Sequence, residues 1–259
     1  MRLALGIEYD GTGFHGWQTQ DGPRTVQATL EAALSKVADA PVTVVAAGRT
    51  DAGVHAAAQV VHFDTDARRS ERGWTFGANS HLPRNISVTW AREVPVSFHA
   101  RFSARRRRYR YVIYNRPVRS ALWDTRAAWE YRALDAERMH EAAQTLLGAH
   151  DFTSFRCSAC QAKSPYRTLE ALDVARHGPS VVLDVQANAF LHHMVRNLAG
   201  VLMAIGMGKQ PVEWARAVLE ARDRREAGVT APAQGLYLAG VEYPEEYALP
   251  GLSPLPPLW

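Results

Sequence analysis

Ala47-Gly48-Arg49-Thr50-Asp51-Ala52-Gly53-Val54-His55-Ala56 sets one carboxylate, Asp51, between two glycines, with Arg49 two residues before it and His55 four after. Apolar, β-branched runs flank it: Val42-Thr43-Val44-Val45 on one side and Gln59-Val60-Val61-His62-Phe63 on the other. Those runs read as strands, and the glycines supply the permissive backbone that a sharp exposed turn needs. Two readings of the turn compete. It is either a hairpin loop whose aspartate closes an Asx turn, or a charged tip at the end of a buried strand, where binding and catalytic groups collect.

Working outward, Leu3-Leu5-Ile7-Tyr9 alternates as a strand and leads into a loop with Gly11, Gly13, Phe14, Gly16 and Trp17. Thr25 then caps an amphipathic helix that turns Val26, Leu30, Ala33, Leu34 and Val37 to one side. Strands over 42–47, 58–64 and 86–92 complete a first half, with Ile86, Val88 and Trp90 on one face of the last. In the second half Arg107 to Tyr114 is a strand, and Asp135 caps a helix with Met139, Ala142, Ala143, Leu146 and Leu147 inward and Gly148 as its stop. Strands over 168–175 and 181–187 follow, then a helix from Leu191 to Ile205, a helix opened by Pro211, and a closing strand over 236–241.

This order predicts an α+β fold of two similar α/β halves, with mixed, mainly antiparallel sheets and helices packed on them, rather than a doubly wound parallel sheet. The expected division is an N-terminal half at 1–103 carrying the Asp51 loop, a C-terminal half at 104–245, and a Pro-rich tail at 246–259.

Composition narrows the class. With 47% hydrophobic and 22% charged residues over 259 positions, the chain is ordinary for a globular protein with a substantial core. No apolar run reaches the roughly 18 residues of a membrane span; the nearest, Phe190 to Met207, is broken by His192, His193, Arg196 and Asn197. Glu8 and Asp10 arrive too early for a secretory signal, so a cytoplasmic protein is expected. Cys157 and Cys160 form a lone C-x-x-C with no second pair to complete a zinc site, and read as inert thiols.

The net charge of +4 hides an asymmetry. Between Val94 and Trp123 stand eight arginines and no acid: Arg101, Arg105, Arg106, Arg107, Arg108, Arg110, Arg116 and Arg119. The remainder of the chain is therefore net acidic, and local basicity of this kind is the footprint of polyanion binding. Within it, Tyr109, Tyr111 and Ile113 share one face of a strand and Arg108 and Arg110 the other. Arginine neutralises phosphate, and a tyrosine ring can stack on an unstacked base. The competing reading is a solvated edge strand whose charges deter aggregation.

Downstream, Phe190-Leu191-His192-His193-Met194-Val195-Arg196-Asn197 places two histidines side by side, but helix neighbours point about 100° apart and do not chelate together. Arg196 stands between Met194 and Leu198 in a helix that otherwise buries heavily. A mostly buried arginine wants a carboxylate, and Asp51 is the prominent one on a constrained loop.

These segments resemble the tRNA pseudouridine synthase A family: Gly48 through His55, then Phe98-His99-Ala100-Arg101-Phe102-Ser103-Ala104, Arg108-Tyr109-Arg110-Tyr111, and Phe190 through Asn197. Gly6-Ile7-Glu8-Tyr9-Asp10-Gly11, Gly16-Trp17-Gln18, Asp151-Phe152-Thr153-Ser154-Phe155 and Gly235-Leu236-Tyr237-Leu238 extend the match in family order over residues 3 to 244. Ala58, where many relatives carry glycine, departs from the pattern, and the Pro-rich C-terminus lies outside it.

The resemblance implies the pseudouridine synthase fold, with the active-site cleft between the halves, and an isomerase of uridines at positions 38, 39 and 40 of the tRNA anticodon stem-loop. It implies a homodimer that uses neither metal nor organic cofactor. Asp51 matches the family's catalytic aspartate, Tyr109 the tyrosine packed against the target base, Arg196 the arginine paired with the aspartate, and Arg49 an arginine implicated in extruding the nucleotide. The physics agrees: such an isomerisation needs an ionised carboxylate, a cation to keep it so, and an extruded base held by stacking and phosphate contacts.

Two other classes make different demands. A non-catalytic RNA-binding protein accounts for the arginine-tyrosine strand but not for Asp51, which repels phosphate. A glycosidase-like hydrolase needs a second carboxylate about 5–9 Å from the first, and the next acids in sequence, Asp64 and Asp66, lie beyond the following strand.

Overall fold

The computed structural model describes residues 1–158 and 160–251. Its elements, in chain order, are β1 (Arg2–Tyr9), α1 (Val26–Ala38), β2 (Val45–Ala46), β3 (His55–Asp64), α2 (Glu71–His81), β4 (Ile86–Val94), β5 (Arg106–Asn115), β6 (Ala128–Glu130), α3 (Ala136–Gln144), β7 (Gly148–Asp151), β8 (Tyr166–His177), β9 (Ser180–Ala187), α4 (Met194–Gly206), α5 (Trp214–Ala221) and β10 (Leu236–Glu242).

Two compact units result: Met1–Arg106 together with the chain from Tyr237 onward, and Arg107–Leu236. In the first unit the strand order is β4-β1-β3-β10, with the short β2 also on β3. The β1/β3 and β1/β4 pairs are antiparallel and β3/β10 is parallel. In the second unit the order is β5-β9-β8-β7, antiparallel throughout, and β6 adds to β5 in parallel. The expected α+β class with mixed, mainly antiparallel pairing is borne out.

Each unit builds its own core. In the first, Leu3, Leu5 and Ile7 of β1 and Val61 and Phe63 of β3 are buried with Leu30 and Leu34 of α1. Phe63 meets Trp74 of α2 edge-on at 5.3 Å, the geometry that the ring quadrupoles favour. In the second, Tyr111, Ile113, Leu183 and Val185 of the sheet are buried, as are Leu198, Val201 and Leu202 of α4. Thr25 and Asp135 cap α1 and α3 as their sequences predict, accepting the N–H groups of Ala28 and Arg138.

Several expectations need correction. The closing strand at 236–241 is expected in a second half that runs to 245, yet from Tyr237 the chain belongs to the first unit, because β10 pairs with β3 through Tyr237↔His55 and Leu238↔Ala56. Of the strand predicted over 42–47, only Val45–Ala46 joins the sheet. Trp90 leaves the face of Ile86 and Val88 because the β1/β4 register shifts between Gly6 and Ile7, and a bulge reverses the alternation. Helix α3 ends at Gln144, so Gly148 opens β7 rather than stopping a helix, and α4 begins at Met194 after His193 at φ 64. Helix α2 is not foreseen at all. Of the tail expected over 246–259, everything from 252 lies outside the described residues; before it, Glu245–Tyr247 form one 3-10 turn. Among the described residues no helix is long and apolar enough to cross a membrane.

Candidate active site

In the first unit the Asp51 turn is fixed from every side that its sequence offers. Asp51 itself is half-buried and Arg49 exposed. The turn closes when the Val54 N–H donates to the Asp51 carbonyl at 3.1 Å, with Gly53 at φ 76 as its third residue. Before it, the Ala47 N–H donates to the Val60 carbonyl at 2.8 Å. Gln59, fully buried in β3, then clasps Gly48: its amide nitrogen donates to the Gly48 carbonyl at 2.6 Å, and its amide oxygen accepts the N–H groups of Gly48 and Val60 at 3.4 and 3.2 Å.

Thr50 is held twice. Its hydroxyl shares a buried 2.8 Å hydrogen bond with the Tyr9 hydroxyl, and its carbonyl accepts the Trp17 N–H at 3.0 Å. Gly16, at φ 84, lets that loop lie against the turn: a Cβ there would stand 2.8 Å from the Thr50 carbonyl oxygen and 3.1 Å from the Asp51 carbonyl carbon. On the far side His55 is buried, stacks on Tyr237 at 4.7 Å, and brings Nδ1 to 3.1 Å from Asp10 Oδ1. That hydrogen bond holds the Asp10 carboxyl well below the usual carboxylate range. With its ring buried and engaged, His55 anchors the turn.

The sequence alone does not single out Gln59, Tyr9, Thr50, Gly16 and Asp10 as site residues, although the short Gly6–Gly11 and Gly16–Gln18 segments that hold three of them are among those that carry the resemblance. A polar glutamine inside a Val-rich strand was the available signal for the first.

In the second unit Tyr109 and Arg196 are the expected site residues. Tyr109 is 8% exposed and meets Phe190 edge-on at 4.9 Å. Tyr111, two residues on, is fully buried; its hydroxyl donates to the Pro232 carbonyl at 2.8 Å, and burial pushes its pKa up. Tyr111 is a core residue. Arg196 lies in the first turn of α4, half-buried, with Nε donating to the Ala231 carbonyl at 2.8 Å. A cation in a first turn opposes the helix dipole, so this position calls for an anion.

The basic stretch is divided by its partners. Arg101 and Arg105 are exposed in the first unit, as is Arg106, whose guanidinium lies 3.3 Å from Glu242. Arg107 donates to the Asn188 carbonyl at 3.1 Å. Arg108 and Arg110 share Asp184 of β9, at 3.2 and 2.7 Å, and Arg110 engages it through both Nε and a terminal nitrogen. The two thiols, Cys157 and Cys160, are free, and they join no cluster of three metal-ligating side chains among the described residues.

Residues 6–103 and 142–244 match the family described as tRNA pseudouridine synthase. With that match over most of its length, and with an α+β architecture that presents an aspartate on a pinned turn, the chain belongs to the tRNA pseudouridine synthase family, a family of isomerases. It is 60% identical over 250 residues to tRNA pseudouridine synthase A of Pseudomonas aeruginosa, a span covering 96% of this chain and 88% of that one. To the tRNA pseudouridine synthase A of Nitrosococcus oceani it is 58% identical over 259 residues, 100% of both chains. The protein of that name from Methylococcus capsulatus is 59% identical over 249 residues, 96% of this chain and 92% of its own.

Proposed function

We propose that this chain isomerises uridine to pseudouridine at positions 38, 39 and 40 of the tRNA anticodon stem-loop, as a cytoplasmic homodimer, with Asp51 as nucleophile. The observation that carries the reading is the Asp51 turn. Gln59, the Thr50–Tyr9 hydrogen bond and the close approach of Gly16 hold one carboxylate at a defined place in a chain of this family. Positioning of that kind is what converts binding into rate.

The reaction balances without a redox partner. The C1′–N1 bond breaks, the uracil turns, and C1′–C5 forms; C5 gives up a proton and N1 gains one. Asp51 acts at the sugar or the base while the glycosidic bond is open, and must be ionised to do so. Arg196 is assigned as the counter-ion that keeps it ionised, because its first-turn position calls for an anion. Tyr109 is assigned to the face of the extruded uracil; its edge-on contact with Phe190 fixes the ring. Arg49, exposed two residues before Asp51, is assigned to drawing the nucleotide from its stack, a step that costs a few kcal/mol and is offset by contacts to the flipped base. Arg101, Arg105, Arg106 and Arg107 are proposed to face the tRNA backbone, whereas Arg108 and Arg110, expected there too, are committed to Asp184.

Incubation with unmodified tRNA transcripts and chemical mapping of pseudouridine tests the reading. Modification confined to positions 38–40, with no free uracil, is the expected result. Release of uracil would make the chain a hydrolase, and a modification elsewhere in the tRNA would overturn the assigned target.

A further inference from the structure

The Phe98–Ser103 segment of the first unit has no part in the chemistry above, yet it is built around one exposed ring. Phe102 is 75% exposed. A single exposed apolar side chain is ordinary on a protein surface; what sets this one apart is how it is held.

The Phe102 ring is stacked on the His99 imidazole, with centroids 4.3 Å apart and planes 29° from parallel. His99 is locked in turn. Its Nδ1 accepts the N–H groups of Arg101 and Phe102 at 3.2 and 3.1 Å, its N–H donates to the Ser103 hydroxyl at 3.0 Å, and its carbonyl accepts the Ser103 N–H at 2.9 Å. Beneath it, at 4.8 Å, lies the buried His62, whose Nδ1 accepts the Ala100 N–H at 3.1 Å. Burial draws the pKa of His62 down to about 4 and lowers that of His99, so both rings are neutral at physiological pH and do not repel the neighbouring arginines.

One face of Phe102 is therefore occupied by His99 and the orientation of the ring is fixed, while the side chain as a whole stays 75% exposed. The Arg101 guanidinium lies over the ring, 5.5 Å from its centroid, a loose cation–π contact that an incoming base can displace toward its own phosphate; Arg105 is exposed three residues on, and the stretch from Val94 to Trp123 holds no acid. An aromatic plane with its entropy already spent, set among cations, matches the π-face of an unstacked base and the phosphates beside it.

We propose that Phe102 is a stacking platform for an unpaired base of the RNA substrate, with Arg101 and Arg105 neutralising the adjoining backbone. This rests on the reading of the substrate as tRNA. It differs from the role assigned to Tyr109, because Phe102 contributes to holding the RNA and not to the reacting uridine.

The test compares Phe102→Ala, Phe102→Leu and Phe102→Trp with the wild-type protein on an unmodified tRNA transcript. Equilibrium binding and single-turnover pseudouridine formation at saturating tRNA are both read. Losing one base stack should weaken tRNA binding about ten- to a hundred-fold in the Ala variant. Leu, apolar but without a π-face, should lose nearly as much, and Trp should restore binding. The saturated single-turnover rate and the unfolding temperature should stay at wild-type values. Wild-type affinity in both the Ala and Leu variants overturns the platform, as does full retention by Leu with loss only in Ala. A change in oligomeric state on sedimentation, with tRNA affinity intact, would assign the ring to a protein contact instead. If the wild-type protein forms no pseudouridine, the underlying reading fails on its own account.

Discussion

Replacing Gln59 by Leu keeps most of the buried volume of the side chain and deletes its amide. Three backbone groups then lose a partner: the Gly48 carbonyl its 2.6 Å donor, and the Gly48 and Val60 N–H groups an acceptor at 3.4 and 3.2 Å. A buried polar group left unpaired costs about 1–3 kcal/mol. The 2.6 Å bond is the strong one and half-buried Gly48 can reach water, so the sum should come to about 2–3 kcal/mol of stability. The effect on chemistry should be larger than the effect on binding. Gly48 lies three residues before Asp51, and a displacement of about 1 Å at a reacting group can cost a hundred-fold in rate.

Single-turnover pseudouridine formation at saturating tRNA should therefore fall by about two orders of magnitude, while tRNA affinity stays within twofold. Gln59→Glu sharpens the test. It keeps an acceptor for the two N–H groups but sets a carboxylate oxygen against the Gly48 carbonyl. The protonated acid restores the missing donor, so its rate relative to wild type should recover as pH falls. A Leu variant with wild-type stability and wild-type rate would refute the clasp.

Asp51→Asn should abolish turnover and leave tRNA binding intact or tighter, measured by single-turnover assay and filter binding. In Arg196→Met the proposed counter-ion of Asp51 is gone, so the single-turnover rate at saturating tRNA should fall while tRNA affinity is kept, and full activity in that variant removes the pairing. Arg105→Ala should flatten the log–log salt dependence of tRNA binding by roughly 0.7–0.9. Arg110→Ala, whose guanidinium is committed to Asp184, should leave the slope unchanged and cost about 1 kcal/mol in urea unfolding. His62 is held neutral by burial with a pKa of about 4, so the unfolded chain takes up the proton first and stability falls as pH drops from about 6.5 toward 4. The wild-type protein should lose about 2 kcal/mol more than His62→Asn between pH 7 and pH 5, since Asn can still accept the Ala100 N–H but does not titrate.

Much of this architecture is legible because local signals and tertiary structure agree. Alternation in Leu3-Leu5-Ile7-Tyr9 and in Arg107–Tyr114 matches β1 and β5, and the Thr25 and Asp135 caps match helix starts. Helix α2 is not legible in the sequence because Gly73 and Gly77 interrupt it and only Trp74 and Ala78 are buried, so no apolar stripe announces it; Ser70, whose hydroxyl accepts the Gly73 N–H, is its local sign. The aspartate turn is visible in its glycines, but its supports are not. Gln59 acts through a clasp to a residue eleven positions away, and Thr50 through Tyr9 at a separation of 41. Composition likewise treats Arg108 and Arg110 like the other arginines of the run, whereas Asp184, 74 residues beyond Arg110, occupies both. Pairings of that kind depend on strand register, which no single stretch of sequence encodes.

The position of β10 has a consequence for how the protein comes into being. During vectorial synthesis all of Arg107–Leu236 leaves the ribosome before Tyr237 and Leu238 can pair with His55 and Ala56. The second unit, continuous in sequence, is free to fold while the first still lacks a strand. Until then the β10 side of His55 and Ala56 has no neighbour, and Tyr237 is not yet stacked on His55. An unfinished chain thus carries an open β3 edge, the kind of surface that invites pairing with other nascent chains. The turn that presents Asp51 gains its last support only after the whole second unit has been made, so a polypeptide released before Tyr237 would hold the aspartate without the framework that aims it.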